Sequence, residues 1–180
     1  SGSKQAAALE EEGREVVKQF VEAGGGDVGI CAGAFLAASN YSWSLGISNH
    51  KTFCETVDVQ GIGRKSMWFR GGSAPVTMEL TDEGRKILGD FEGVFEVRYQ
   101  NGPIMSPMGR EGLGNFRSLS HFRSEVSKYK PQEGTMVNTP AVIVGEYGNG
   151  RVLCISPHPE STDALNRLVQ NAVRWTARRR

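Results

Sequence analysis

Asp27-Val28-Gly29-Ile30-Cys31-Ala32-Gly33-Ala34-Phe35-Leu36 is the stretch that decides the fold class. Residues 27–31 read as a short buried strand, and residues 32–39 follow with almost no loop as a small, apolar helix. Strand, sharp turn and helix in that order are half of a parallel α/β unit. Within the stretch, Gly29-Ile30-Cys31-Ala32-Gly33 has the form of a G-x-S-x-G elbow with cysteine in place of serine. The glycines permit a tight turn that pushes the central side chain out at the C-terminal end of the strand. Cys31 would then meet the positive end of a helix dipole, which favours thiolate, and the Ala32 N–H would face a developing oxyanion. A second reading stays open on the pentapeptide alone. Cysteine is among the most buried residue types, and a glycine-rich strand end also suits a packed one.

Outward from this stretch, residues 4–23 carry Leu9, Val16, Val17, Phe20 and Val21 at helical spacing, with Glu10, Glu11, Glu12, Arg14 and Lys18 on the other side. Gly24-Gly25-Gly26 stops that helix. The middle reads as strands over 51–59, 65–70, 75–80 and 94–99, with a short helix over 81–88 opened by a Thr81 cap. Residues 101–114 form a loop rich in Gly, Pro and Met, 116–126 add a strand, and 128–134 are polar loop. Residues 141–145 and 151–155 are apolar strands around Tyr147-Gly148-Asn149-Gly150, a hairpin signal. Residues 162–177 predict an amphipathic helix with Leu165, Leu168, Val169, Ala172, Val173 and Thr176 on one face, and 178–180 are a solvated tail.

The 180 residues are one domain's worth of chain. Lys plus Arg number 21 against 20 Asp plus Glu, and a net charge of +1 argues against a dedicated nucleic-acid binder. No apolar run approaches the ~18 residues needed to cross a bilayer. The three cysteines, Cys31, Cys54 and Cys154, are too few and scattered for a disulfide scaffold or a zinc site. Neither a metal nor another cofactor is expected. Cys54 and Cys154 fall in strand patterns and are expected to be packed and slow, leaving Cys31 the most reactive thiol.

A cysteine nucleophile needs a base. His121 lies in the alternating Ser118-Leu119-Ser120-His121-Phe122 and decorates a strand face, while His50 precedes a strand in a polar turn. His158 follows a buried strand, between two prolines and with Glu160 two residues on. That spacing presents an imidazole while a carboxylate orients it. A histidine in a proline-rich turn also has a purely structural reading. Cys31 and His158 both end apolar strands, however, and in parallel sheets such ends converge on one crevice. Gly63-Arg64-Lys65-Ser66 lacks the strand-to-helix context of a phosphate loop. Arg64, Lys65 and Arg70 are a modest basic cluster, and Asp27 is more simply a strand-start residue than an active-site acid.

Gly29-Ile30-Cys31-Ala32-Gly33 taken with His158-Pro159-Glu160 resembles the class I glutamine amidotransferase domains. Residues 26–36, Trp43-Ser44-Leu45-Gly46, Tyr99-Gln100-Asn101-Gly102-Pro103 and residues 150–160 resemble the subgroup related to the N-terminal domain of fungal biotin–protein ligases. The resemblance implies a flavodoxin-like α/β sandwich with a mostly parallel sheet and the cysteine on a strand–helix nucleophile elbow. It implies Cys31 as nucleophile, His158 as general base and acid, and Glu160 orienting His158. Ala32 would supply one oxyanion donor, with Phe35 and Asn101 beside the substrate. The implied chemistry is attack on a carboxamide, a thioester intermediate, ammonia and then a carboxylate. The implied partner is a small-molecule or amide substrate, with no nucleic acid and no membrane.

Two departures shape the expectation. Glutamine-using members carry Gln where this chain has Phe35, and a phenyl ring cannot offer an amide's donor and acceptor. Members also place two or three strands and a glycine-rich oxyanion loop before the first helix, whereas 30 residues precede Cys31 here. The expectation is therefore a single domain over 1–180 that lacks its N-terminal strands and is a poor catalyst alone. It would associate as a homo-oligomer through a bare sheet edge or require a complementing N-terminal segment. The rival reading is a non-catalytic binding or regulatory module that keeps the fold. A cysteine hydrolase of the related intracellular-protease type fits less well, because that group takes its histidine soon after the elbow cysteine.

Overall fold

Helix α1 (Gly2–Glu22) leads into strand β1 (Gly26–Ile30) and the short helix α2 (Ala32–Ala37). Strands β2 (His50–Thr52), β3 (Glu55–Val59), β4 (Gly63–Met67) and β5 (Ser73–Leu80) precede helix α3 (Asp82–Leu88) and strand β6 (Val94–Gln100). Strands β7 (Met105–Pro107), β8 (Arg117–Phe122), β9 (Pro140–Tyr147) and β10 (Gly150–Ile155) then lead, through two single 3₁₀ turns, to helix α4 (Asn166–Ala177). This computed structural model describes residues 1–59, 61, 63–67, 72–126 and 134–177. The ends of the expected strand over 65–70, the polar loop over 128–134 and the tail over 178–180 fall largely outside those residues, as does Arg70.

The main sheet has six strands in the order β1-β10-β9-β8-β5-β6, and two-stranded pairs β2–β7 and β3–β4 stand apart. The expected mostly parallel sheet is corrected here. Among the described residues only β1 and β10 run parallel, and every other pairing is antiparallel. A strand runs almost directly into a helix at β1–α2 and again at β5–α3, but β5 and β6, on either side of α3, pair antiparallel, so a strand-to-helix step alone does not make the sheet parallel. Between β9 and β10 the Gly148-Asn149 turn, with Gly148 at φ +57°, can only return the chain antiparallel. The fold is mixed α/β all the same, with helices on both faces.

Alternation along β10 builds the two cores. Leu153 and Ile155 join Leu168 and Ala172 of α4 on one face, while Val152 and Cys154 join Val21 of α1 and Ala34 and Ala37 of α2 on the other. Helix α3 opens as expected, with the Thr81 hydroxyl accepting from the Gly84 N–H at 3.0 Å. Three expectations change. The strand over 51–59 breaks at Phe53-Cys54 into β2 and β3, so Cys54 is exposed rather than packed. The loop over 101–114 contains β7. Along α1, Val21 and Ala6 are buried but Val16 and Phe20 are 59% and 60% exposed. All three of Val16, Phe20 and Val21 follow the kink at Glu10 (φ +57°, ψ −170°), and the face that packs carries Val17 and Val21, so the buried stripe is narrower than the apolar spacing suggests. On α4, Leu168, Ala172 and Thr176 are buried as expected, while Val173 is half exposed. Phe20 and Val173 line a groove that reaches β1, the edge strand of the sheet.

Candidate active site

The parallel pairing of β1 and β10 ends level, with Ile30 opposite Ile155. Residues 31 and 156–158 therefore leave the sheet side by side, although 127 positions separate Cys31 from His158. The Cys31 N–H donates to the Ile155 carbonyl at 2.8 Å, which carries the pairing one residue past the strand. Cys31 then turns the chain into α2 with φ +48° and ψ −96°. Such a conformation costs a non-glycine residue roughly 1–3 kcal/mol. Gly29 allows the turn to close. A Cβ built there would lie 2.6 Å from the backbone of Gly33, so no larger residue fits unless the helix moves.

A cavity of about 750 Å³ opens at these strand ends. Cys31, Ala32 and His158 line it, and Phe35 comes from the first turns of α2. Gln100 and Asn101 close it from the end of β6. The Cys31 thiol donates to the Gln100 carbonyl at 3.5 Å. His158 Nδ1 and Glu160 Oε1 are hydrogen-bonded at 2.6 Å, and the His158 N–H donates to the Arg98 carbonyl at 2.7 Å. With Nδ1 engaged by the carboxylate, Nε2 is the ring nitrogen left for other partners.

Burial pushes the Cys31 thiol above its ordinary value. The Ala32 N–H pulls it down in part, and the Glu160 carboxylate adds to the rise. The expected net preference for thiolate is thereby corrected. Helix α2 has six residues, and desolvation outweighs what its N-terminus supplies. The balance favours the thiol over the thiolate.

The remaining sequence candidates separate cleanly. His50 is fully buried, not in a polar turn. Its Nδ1 lies 2.9 Å from the Ser48 hydroxyl, its Nε2 lies 3.2 Å from the Ala34 carbonyl, and burial lowers its pKa to about 4. His121 sits on β8 as expected, lowered by burial and by Arg123. Cys154 is buried between β1 and β9, and its thiol is pushed far up. Gly63-Arg64-Lys65-Ser66 is part of β4, which removes the phosphate-loop reading. Asp27 lies on β1, and burial raises its carboxyl to about 6. Among the described residues no cluster of His, Cys, Asp and Glu could hold a metal ion, and no helix is long and apolar enough to cross a membrane.

Sequence reasoning missed several contributors, among them Ser1, Gly2 and Ser3, which line the cavity from the start of α1. Tyr41 and Trp43 line the cavity with Phe35, and Gln100 takes the thiol hydrogen bond. The turn after Gln100 is held firmly in place. Asn101, at φ +55°, accepts from the Gly72 N–H at 2.9 Å, and the Tyr99 hydroxyl donates to the Gly102 carbonyl at 2.7 Å. Ser156 Oγ donates to the Pro103 carbonyl at 2.7 Å, and a Cβ at Gly102 would collide with the Ser156 carbonyl. The turn is thus locked to the segment that carries His158.

The family model described as biotin-protein ligase, N terminal, matches residues 4–177. The chain belongs to that family. Solved structures similar to this chain include two ThuA-like proteins. That from Bacteroides uniformis has a TM-score of 0.61 at 19% identity, covering 93% of this chain and 64% of its own. That from Parabacteroides merdae has a TM-score of 0.58 at 16% identity, covering 93% and 65%. A β-galactosidase from Rahnella sp. R3 matches at 0.58 and 15% identity over 94% of this chain and 21% of its own. The chain thus spans less than two thirds of each of these structures. No curated protein sequence matches it significantly. The family match and the ThuA-like neighbours support a glutamine amidotransferase-like fold.

Proposed function

We propose that the protein is a cysteine-nucleophile hydrolase of amidotransferase type that acts on a carboxamide. The observation that carries the reading is Cys31, held at a positive φ between a strand and a helix and sharing one cavity with a histidine bonded to a carboxylate. Strained backbone at a nucleophile-bearing residue is costly unless the surrounding structure and its use require it. In this reading His158 Nε2 takes the thiol proton and Cys31 Sγ attacks the carboxamide carbon. The Ala32 N–H donates to the oxyanion that forms. The imidazolium returns its proton to the leaving nitrogen, ammonia departs, and Cys31 is left as a thioester. Water, deprotonated by His158, then attacks the thioester carbon, releasing a carboxylate and restoring the thiol. Glu160 acts on His158, holding Nδ1 and stabilising the imidazolium.

Ammonia release from simple carboxamides tests this. Turnover is expected to fall to background in both Cys31→Ser and His158→Ala, while melting temperatures stay close to that of the parent. Turnover that survives both substitutions would overturn the reading. A folded chain that binds amides without turning them over would favour a binding module.

A further inference from the structure

The cavity beside Cys31 has a chemical character of its own. Phe35, Tyr41 and Trp43 line it together. Tyr41 and Trp43 are stacked with centroids 4.6 Å apart at 14°, and Phe35 stands 6.4 Å from Tyr41 at 47°. The Tyr41 hydroxyl is tied to Thr52 Oγ1 at 2.6 Å, so its polar end is occupied by β2. Among the described residues no lysine, arginine, aspartate or glutamate side chain lines the cavity, and Ser1, Gly2 and Ser3 complete its wall.

A free α-amino acid brings both an ammonium and a carboxylate. Enclosing the ammonium with no carboxylate side chain in the wall is unfavourable. A flat apolar ring has no such need and gains offset-stacked or edge contacts with aromatic neighbours. A quaternary ammonium would want several ring faces converging on it. Here the near-parallel pair turns one face of Tyr41 and one of Trp43 toward each other, leaving an outer face and ring edges. The geometry favours a flat neutral group over a cation.

We infer that the substrate presents an uncharged aryl or comparably flat apolar acyl group to Phe35, Tyr41 and Trp43, which set specificity. The inference rests on the proposed hydrolase only for where the carbonyl sits. Preference for the acyl group is a binding property and is measured apart from turnover.

Ligand-observed NMR titration of the Cys31→Ala protein compares phenylacetamide with propionamide, L-glutamine and tetramethylammonium. Phenylacetamide is expected to bind about tenfold more tightly than the other three, the scale of one aromatic contact together with its buried area. Trp43→Ala in the same background should abolish the preference. Phe35→Gln, which keeps a side chain of similar length, should reduce it severalfold. L-Glutamine or tetramethylammonium binding as tightly as phenylacetamide would overturn the inference, as would a preference indifferent to both wall substitutions. If the preference holds while the wild-type chain turns over no amide, the hydrolase reading fails and the specificity assignment stands.

Discussion

Replacing Asp27 by Asn removes a charge that the fold holds at a cost. Asp27 lies on β1 beside buried Cys154, whose thiol it raises further, and burial lifts its own carboxyl from 3.8 to about 6. Among the described residues it has no hydrogen-bond or ion-pair partner. Because the folded value is the higher one, the folded chain binds more protons than the unfolded chain between pH 3.8 and 6. Stability from this group is therefore full below about pH 3.8 and is lost as pH rises through 6. The gap corresponds to about 3 kcal/mol above pH 6. Asn is nearly isosteric and never ionises. Urea unfolding at pH 8 should find Asp27→Asn more stable than the parent by up to about 3 kcal/mol, with the advantage vanishing near pH 4. A variant equal to or weaker than the parent at pH 8 would refute the reasoning.

Three further outcomes follow from the same structure. His50 titrates in the opposite sense. Its folded value of about 4 lies below its ordinary 6.5, so its contribution is full above pH 6.5 and is lost as pH falls toward 4, by about 3 kcal/mol in all. The two groups nearly cancel in the parent, so Asp27→Asn should unmask a steep acid loss in the same urea series, and a flat profile would contradict it. Gly102→Ala drives a methyl into the Ser156 carbonyl and should lower stability by about 1–3 kcal/mol. Amide turnover should drop with it, and parental values in both assays would show that the turn is not locked. Glu160→Gln keeps an acceptor near His158 Nδ1 but removes the negative charge, so kcat should fall roughly 10²–10⁴-fold with KM little changed. An unchanged kcat would remove Glu160 from the mechanism.

The site was more legible in the sequence than the sheet was. Gly29-Ile30-Cys31-Ala32-Gly33 carries its geometry locally, in a glycine that a Cβ would jam and a cysteine at the strand end. His158-Pro159-Glu160 does the same, since two residues' spacing suffices for the imidazole–carboxylate bond. The hairpin turn at Gly148-Asn149 encodes one antiparallel pairing locally, but β5, β6, β8 and β9 pair across longer connections that carry no such signal, and one βα unit stood for a parallel sheet that is mostly antiparallel. Cys54 was misread because residues 51–59 are rich in strand-forming Thr, Phe and Val and hold no Gly or Pro to mark the break at Phe53 and Cys54. Tyr41 and Trp43 could have been suspected from Tyr41-Ser42-Trp43, two large aromatics in a short turn directly after α2. Their convergence on Cys31 depends on how that turn folds back.

Iodoacetamide labelling does not isolate the proposed nucleophile, because exposed Cys54 can react as well. Acyl transfer separates the two, since only Cys31 shares a cavity with His158. The direct measurement is trapping of the thioester from an activated aryl ester at low pH, followed by peptide mapping. The acyl group is expected on the peptide containing Cys31, at a level that collapses in His158→Ala. An acyl group on Cys54, or on Cys31 at the same level without His158, would contradict the account.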